Sequence, residues 1–311
     1  MNRRKLITAA LAVPLALKTS SSWAAPPSRG SNSGCWAAKF DGATRIQNDG
    51  SIVNVPGYSS YGLISYFFNA AALKKSAQHN VFWVQTTAGA PALGLYHFVA
   101  GNGRAAQLYL TLASTPGSGS APYMFVVTPN GDPLVYDGTW HHVLLAWDTN
   151  AGAAALKVDG ADTVVSIGSG GGAFSVPYSS STWSIGAAKP ATNTPANYYK
   201  GELAEFFFYA LSAPVDLNDP SVTNGFADAV GLPVRNSSDG RTAISGQTPQ
   251  IYLSGGGGSV GASNESMFLR NYPGRTWNGL GPSIDPGPSA FYVATGILQT
   301  ATGDPWGYTG T

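Results

Sequence analysis

The sequence predicts an all-β protein, an antiparallel sandwich of two sheets carrying a small C-terminal β extension. Three observations lead there. Apolar residues fall in short runs at strand spacing, tight-turn residues separate the runs, and charge is scarce. Of 311 residues only 11% are charged, against roughly a quarter in an average soluble domain. The 39 glycines, 21 prolines and 12% aromatics suit many short strands joined by turns.

The chain opens on a targeting pattern. Arg3-Arg4-Lys5 form a basic stretch, Leu6 to Leu17 an apolar core, and Ser22-Trp23-Ala24 a small-residue cleavage site before Ala25. That core is too short to span a bilayer, which takes about 20 residues. Arg3-Arg4-x-Leu6-Ile7 is similar to the twin-arginine export motif, with Asn2 where Ser or Thr is usual. An ordinary secretion peptide is the alternative. Residues 1–24 are thus expected to be a signal peptide, and 25–34, rich in Pro, Gly, Ser and Asn, a linker. The expected location is periplasmic or extracellular, with no later membrane span. The single cysteine, Cys35, cannot form an internal disulfide and is expected to pack at the domain edge.

The body of the sandwich is expected over 35–212. Residues 81–86, 107–113 and 123–128 read as strands. In His141 to Trp147, Val143, Leu145 and Trp147 share one face and Leu144 and Ala146 the other, so both faces of that strand should be covered. Asp148-Thr149-Asn150-Ala151-Gly152 and Asp159-Gly160 supply the next two reversals. Residues 168–172 read as a glycine-rich rim loop. Residues 199–209 read as the last long strand, with Leu203, Glu205 and Phe207 on one face and Ala204, Phe206 and Phe208 on the other. In the extension, 213–311, a short helix is expected at 221–230 with Val222, Phe226 and Val230 on one side, then a strand at 249–254.

The order Asp137-Gly138-Thr139-Trp140-His141-His142, Val158-Asp159-Gly160, Trp183-Ser184-Ile185-Gly186 and Gly201-Glu202-Leu203-Ala204-Glu205-Phe206 resembles the laminin G-like branch of the concanavalin A-like lectin/glucanase superfamily. The resemblance implies a jelly-roll, places an opening strand at Ala38 to Gly42 and an aromatic-rich core strand at 62–69, and implies a binding module more than an enzyme. The segment from the short helix through Pro249-Gln250-Ile251-Tyr252-Leu253-Ser254 also resembles C-terminal extensions of laminin G-like proteins in phage and prophage virion modules. A virion decoration or self-assembling subunit is therefore an alternative to an exported one. The stretch 255–266 lacks bulky side chains and would order more readily against a neighbouring subunit.

Net charge of +1 leaves no electrostatic footprint for nucleic acid. The superfamily's glucanases carry acids at i, i+2 and i+4 of one strand. Here the glutamates are Glu202, Glu205 and Glu265; the first two stand an odd number of residues apart, which strand parity sends to opposite faces. No catalytic residue is assigned, and a glycosidase or lyase would need acids from separate strands. Gly257-Gly258-Ser259-Val260-Gly261 matches a nucleophile elbow, yet all four histidines precede it, against the order such hydrolases require. His141 and His142 point to opposite faces and cannot readily share one ion. The resemblance implies a possible Ca²⁺ site with Asp41 and Glu205 as ligands, although the family's acidic pair is reduced here to Ala204-Glu205. For a glycan or cell-surface polysaccharide, the sugar-stacking candidates are Tyr178, Tyr198 and Tyr199 beside loops, and Tyr96-His97 on an expected rim loop. Trp83, Trp140, Trp147 and Trp183 are expected in the core.

Overall fold

The computed structural model describes residues 37–253, apart from 44, 50–54, 72–76, 86–90, 100, 102, 116–121, 129–132, 180–181, 189–196, 230, 232, 235–242, 245–246 and 248, together with two strands at 292–295 and 299–300. The signal peptide, linker, Cys35, the 255–266 stretch and Ser259 lie outside the described residues. In chain order the elements are β1 (Ala38–Asp41), β2 (Arg45–Asp49), β3 (Tyr58–Ser59), β4 (Tyr61–Asn69), β5 (Ala77–Gln85), β6 (Pro91–Val99), β7 (Ala105–Ala113), β8 (Tyr123–Val127), β9 (Leu134–Val135) and β10 (Trp140–Asp148). They continue with β11 (Ala153–Val158), β12 (Ala161–Thr163), β13 (Ser166–Gly170), β14 (Val176–Pro177), β15 (Thr182–Ile185), β16 (Lys200–Leu211), α1 (Pro220–Thr223), β17 (Ile251–Leu253), β18 (Tyr292–Thr295) and β19 (Gln299–Thr300).

Two antiparallel sheets result. Sheet I runs β12-β11-β10-β4-β16-β1-β19, with β17 also paired to β16. Sheet II runs β13-β8-β7-β6-β5-β15-β2-β18, with β9 paired to β7. Between them lies the main core. Ile64, Tyr66 and Phe68 of β4, Val143, Leu145 and Trp147 of β10, and Phe206 and Phe208 of β16 face Phe82, Leu93, Leu95, Leu108, Leu110, Met124, Val126 and Trp183 from sheet II. The alternation that places them there is the period of two that any strand imposes. At Gly62, directly opposite Trp147, a Cβ would overlap the indole, so the glycine makes room for the ring.

The outer face of sheet I is covered as well. Leu63, Leu144, Ala146, Phe207, Tyr209 and Leu211 pack against Leu217, Val222, Phe226, Ala243, Ile244 and Tyr252, all from the extension. Thus the described residues between 213 and 253 lie on the sandwich as its third layer. This meets the expectation that β10 is covered on both sides.

Four expectations are corrected. The helix is one turn, capped by Asp219, whose side chain accepts from Ser221 N at 2.8 Å. It ends at Thr223, and the chain turns through Gly225, where a Cβ would overlap the Ala243 carbonyl, into a bridge between Ala227 and Pro233. Tyr96 and His97, expected on a rim loop, lie on the mid-sheet strand β6; Pro91 and Gly94 disguise an inward row of Leu93, Leu95, His97 and Val99. Residues 166–170 are edge strand β13 rather than loop, with only Gly171 and Gly172 left-handed beyond it. Finally, β16 breaks parity. Glu205 takes φ 46° and the pairing with β4 slips between Ala204 and Phe207. This is a bulge, which inserts one residue and exchanges the faces beyond it. Leu203, Phe206 and Phe208 therefore share the main core, and Phe207 and Tyr209 turn outward.

Candidate functional site

The outer face of sheet II is aromatic and uncharged along five of its strands. β5, β6, β7, β8 and β13 are contiguous, and none of their residues is Asp, Glu, Lys or Arg. In β7 the even positions 106 to 112 are buried, which turns Gln107, Tyr109 and Thr111 outward. β8 likewise buries Met124 and Val126 and presents Tyr123 and Phe125, 46% and 39% exposed. β6 adds Tyr96 and Phe98, the latter 41% exposed. β5 adds a half-buried Trp83.

Register sets these rings in rows across the strands. One row reads Trp83, Gly94, Thr111, Phe125, Gly168. A Cβ at Gly94 would meet the Trp83 ring, and one at Gly168 would overlap Phe125, so both rings lean over a neighbouring strand's glycine. Tyr123 leans over Gly170 in the same way, its ring parallel to Phe125 within 9°. In the next row Tyr96 and Tyr109 are direct partners, stacked with centroids 4.9 Å apart. The Tyr109 hydroxyl donates to Gln107 Oε1 at 3.2 Å, and Gln107 Nε2 donates to the Thr128 carbonyl at 3.1 Å. The polar groups among the rings are thus held in place. Burial raises the Tyr96 phenol, with Tyr109 adding to it, so Tyr96 stays neutral at physiological pH.

Of the residues expected to stack on sugar, Tyr96 lies on this face and Tyr198 at its border, half-buried and bridged through its backbone to Asn80. The other three are corrected to core residues. Tyr178 is 2% exposed and packs between Trp183 and Phe208. Tyr199 is fully buried edge-on to Phe40. His97 is fully buried between two hydroxyls, Tyr66 at 2.6 Å from Nε2 and Tyr136 at 2.9 Å from Nδ1. Each follows an inward strand parity or a turn back into the sandwich. Conversely, Trp83, expected in the core with Trp147 and Trp183, lies on the outer face; Trp140 is also only half-buried. Phe98, Tyr109, Tyr123 and Phe125 went unassigned in the sequence. For Tyr109 the signal was there, in the strict alternation from 105 to 113.

The calcium ligands do not come together. Asp41 is exposed opposite Lys200, and its Oδ1 accepts from Ala43 N at 2.8 Å as a turn cap. Glu205 lies five residues further along β16, roughly 17 Å at strand rise. It is 4% exposed and accepts from the Tyr252 hydroxyl at 2.6 Å. The two do not fit one ion. Among the described residues no group of three or more His, Cys, Asp or Glu is placed to hold a metal. The bulge also corrects the parity argument about acids: Glu205 joins Glu202 on the outer side of sheet I. Burial under Tyr252 nevertheless keeps it from a substrate.

A concavity of about 430 Å³ opens at one end of the sandwich, lined by Tyr58, Tyr61, Ser59, Ser60, Ser175 and Gln250 among others. Its hydroxyls serve the fold: Ser59 donates to the Leu211 carbonyl at 2.6 Å and Ser60 to that of Phe174 at 2.9 Å.

No protein-family model and no curated protein matches the chain. Solved structures similar to it include a native heptameric SAP-like pentraxin from Limulus polyphemus, at 13% identity and TM-score 0.45 over 61% of this chain and 81% of that one. Another is a putative carbohydrate binding protein from Bacteroides ovatus, at 11% identity and TM-score 0.47, covering 87% of this chain and 60% of that one. Domains LG4-5 of mouse laminin alpha1 match at 15% identity and TM-score 0.40, over 59% of this chain and 43% of theirs. The chain thus spans less than two thirds of the Bacteroides and laminin structures.

Proposed function

We propose that this protein is a non-catalytic module that binds glycans on the outer face of sheet II, acting outside the cytoplasm. The observation that carries the reading is a sheet face set with aromatic rings among fixed hydrogen-bonding groups. The C–H face of a sugar packs on such rings, and its hydroxyls pair with Tyr109, Gln107 and Thr111. Strand-borne rings held in register lose little freedom on binding, which favours affinity at low entropic cost. The leader pattern at Arg3 to Ala24 supports the location. The buried state of Glu205 supports the absence of catalysis.

Retention of the full chain on a panel of immobilised glycans tests binding, and digestion of the same glycans in solution tests catalysis. The reading expects retention without digestion. Turnover that disappears in Glu202→Gln would replace it with a hydrolase or lyase.

A further inference from the structure

The aromatic face also narrows the ligand class, given the glycan reading above. We infer that the ligand is an uncharged polysaccharide chain, contacted over several sugar rings, rather than a single sugar or an acidic glycan. The first ground is charge. An acidic glycan, whether uronate, sulfate or sialate, needs a cation or a set of aimed donors to offset its desolvation. Five adjoining strands here offer no Lys or Arg, and the two histidines among them, His79 and His97, are buried. Burial holds both below the ordinary histidine range, so neither supplies charge. Likewise the face has no carboxylate to attract an amino sugar's ammonium.

The second ground is extent. Trp83 and Phe125 occupy the same transverse row on strands three steps apart, roughly 14 Å at the usual strand spacing. Between them the Trp83 indole lies over Gly94 and only Thr111 stands uncovered, so the row is a ring, a low polar step and a second ring. Tyr96 and Tyr109 flank that track in the adjoining row. A monosaccharide would reach one of these rings, whereas an extended chain reaches all of them.

Affinity electrophoresis of the full chain through gels containing β-glucan, xylan or galactomannan, against gels containing polygalacturonate or alginate, tests the class. The expected result is retardation by a neutral polymer, insensitive to added salt because no ion pair is screened. Titration with matched oligosaccharides should show a hexasaccharide binding at least about tenfold more tightly than a disaccharide. Phe125→Ala and Trp83→Ala should each weaken it by up to about tenfold, the order expected for one aromatic contact. Gly168→Val, which keeps the Phe125 ring but removes its seat, should do the same. Near-ultraviolet circular dichroism checks that each variant is folded. Salt-sensitive retardation by a charged polymer, lost in the same variants, would overturn the neutral class and leave the glycan reading standing. Equal affinity for di- and hexasaccharide would overturn the extended footprint alone. Binding lost in Tyr58→Ala but kept in Phe125→Ala would move the site to the end cleft and overturn both. Retardation by no polymer would overturn the glycan reading itself.

Discussion

At the scale of single residues, the histidines set how the fold responds to pH. His97 is held neutral by burial, its ring pushed down to about 3, and His142, buried against Phe67 and Ser65, to about 4. Both folded values lie below the unfolded value of about 6.5. The unfolded chain therefore binds more protons below that pH, and stability is lost as pH falls from about 6.5 towards 4. His141 behaves oppositely. Burial alone would lower it, but Asp159 at 2.8 Å and Asp137 at 3.2 Å outweigh burial and raise it. Its contribution is complete below about 6.5 and is lost as pH rises through the folded value. Urea unfolding at several pH values checks both signs. His97→Gln, which does not titrate, should flatten the acid limb, and His141→Gln should remove the alkaline one. None of this was legible in the sequence, where His97 looked like a loop residue; a histidine's worth depends on partners such as Tyr66 and Tyr136, which come from distant strands.

At the scale of elements, strand existence was legible and strand facing was not always so. Alternation correctly assigned Val143, Leu145 and Trp147 to one core and Leu144 and Ala146 to another. It failed on β16, because a bulge centred on a glutamate in left-handed conformation has no glycine to announce it. Tyr252, across from Phe207 on β17, holds that bulge through its bond to Glu205. Tyr252→Phe should therefore cost about 1–3 kcal/mol, the range for removing one partner of a buried hydrogen bond. Chemical denaturation measures it. Gly62→Ala should cost at least as much, since its methyl must displace the Trp147 ring from a filled core. A loss below about 0.5 kcal/mol would show that the core there is loose. On β8 the sequence Tyr-Met-Phe-Val-Val is apolar on both faces, so no pattern could tell Phe125 outside from Val126 inside. Only the neighbouring strands decide it.

For the whole molecule, the two faces of the sandwich are treated differently. Sheet I is closed by Leu217, Val222, Phe226, Ala243, Ile244 and Tyr252, which bury Phe207, Tyr209 and Leu63. Sheet II keeps its aromatic outer face accessible. Ending the chain at Ser212 should expose the first surface and yield aggregation and dye binding, seen by size-exclusion chromatography and ANS fluorescence. A monodisperse, dye-silent truncation would contradict the account of the extension as a covering layer. The sequence marked Ser212 as a change of texture, but could not show that the two sides share a core, because that contact links residues distant along the chain. The central claim concerns sheet II and is tested most directly by a glycan array probed with wild type and a Tyr96→Ala/Tyr109→Ala variant side by side. The account predicts wild-type binding to neutral glycans that the variant loses while staying folded. Equal binding by both proteins to the same glycans would contradict it.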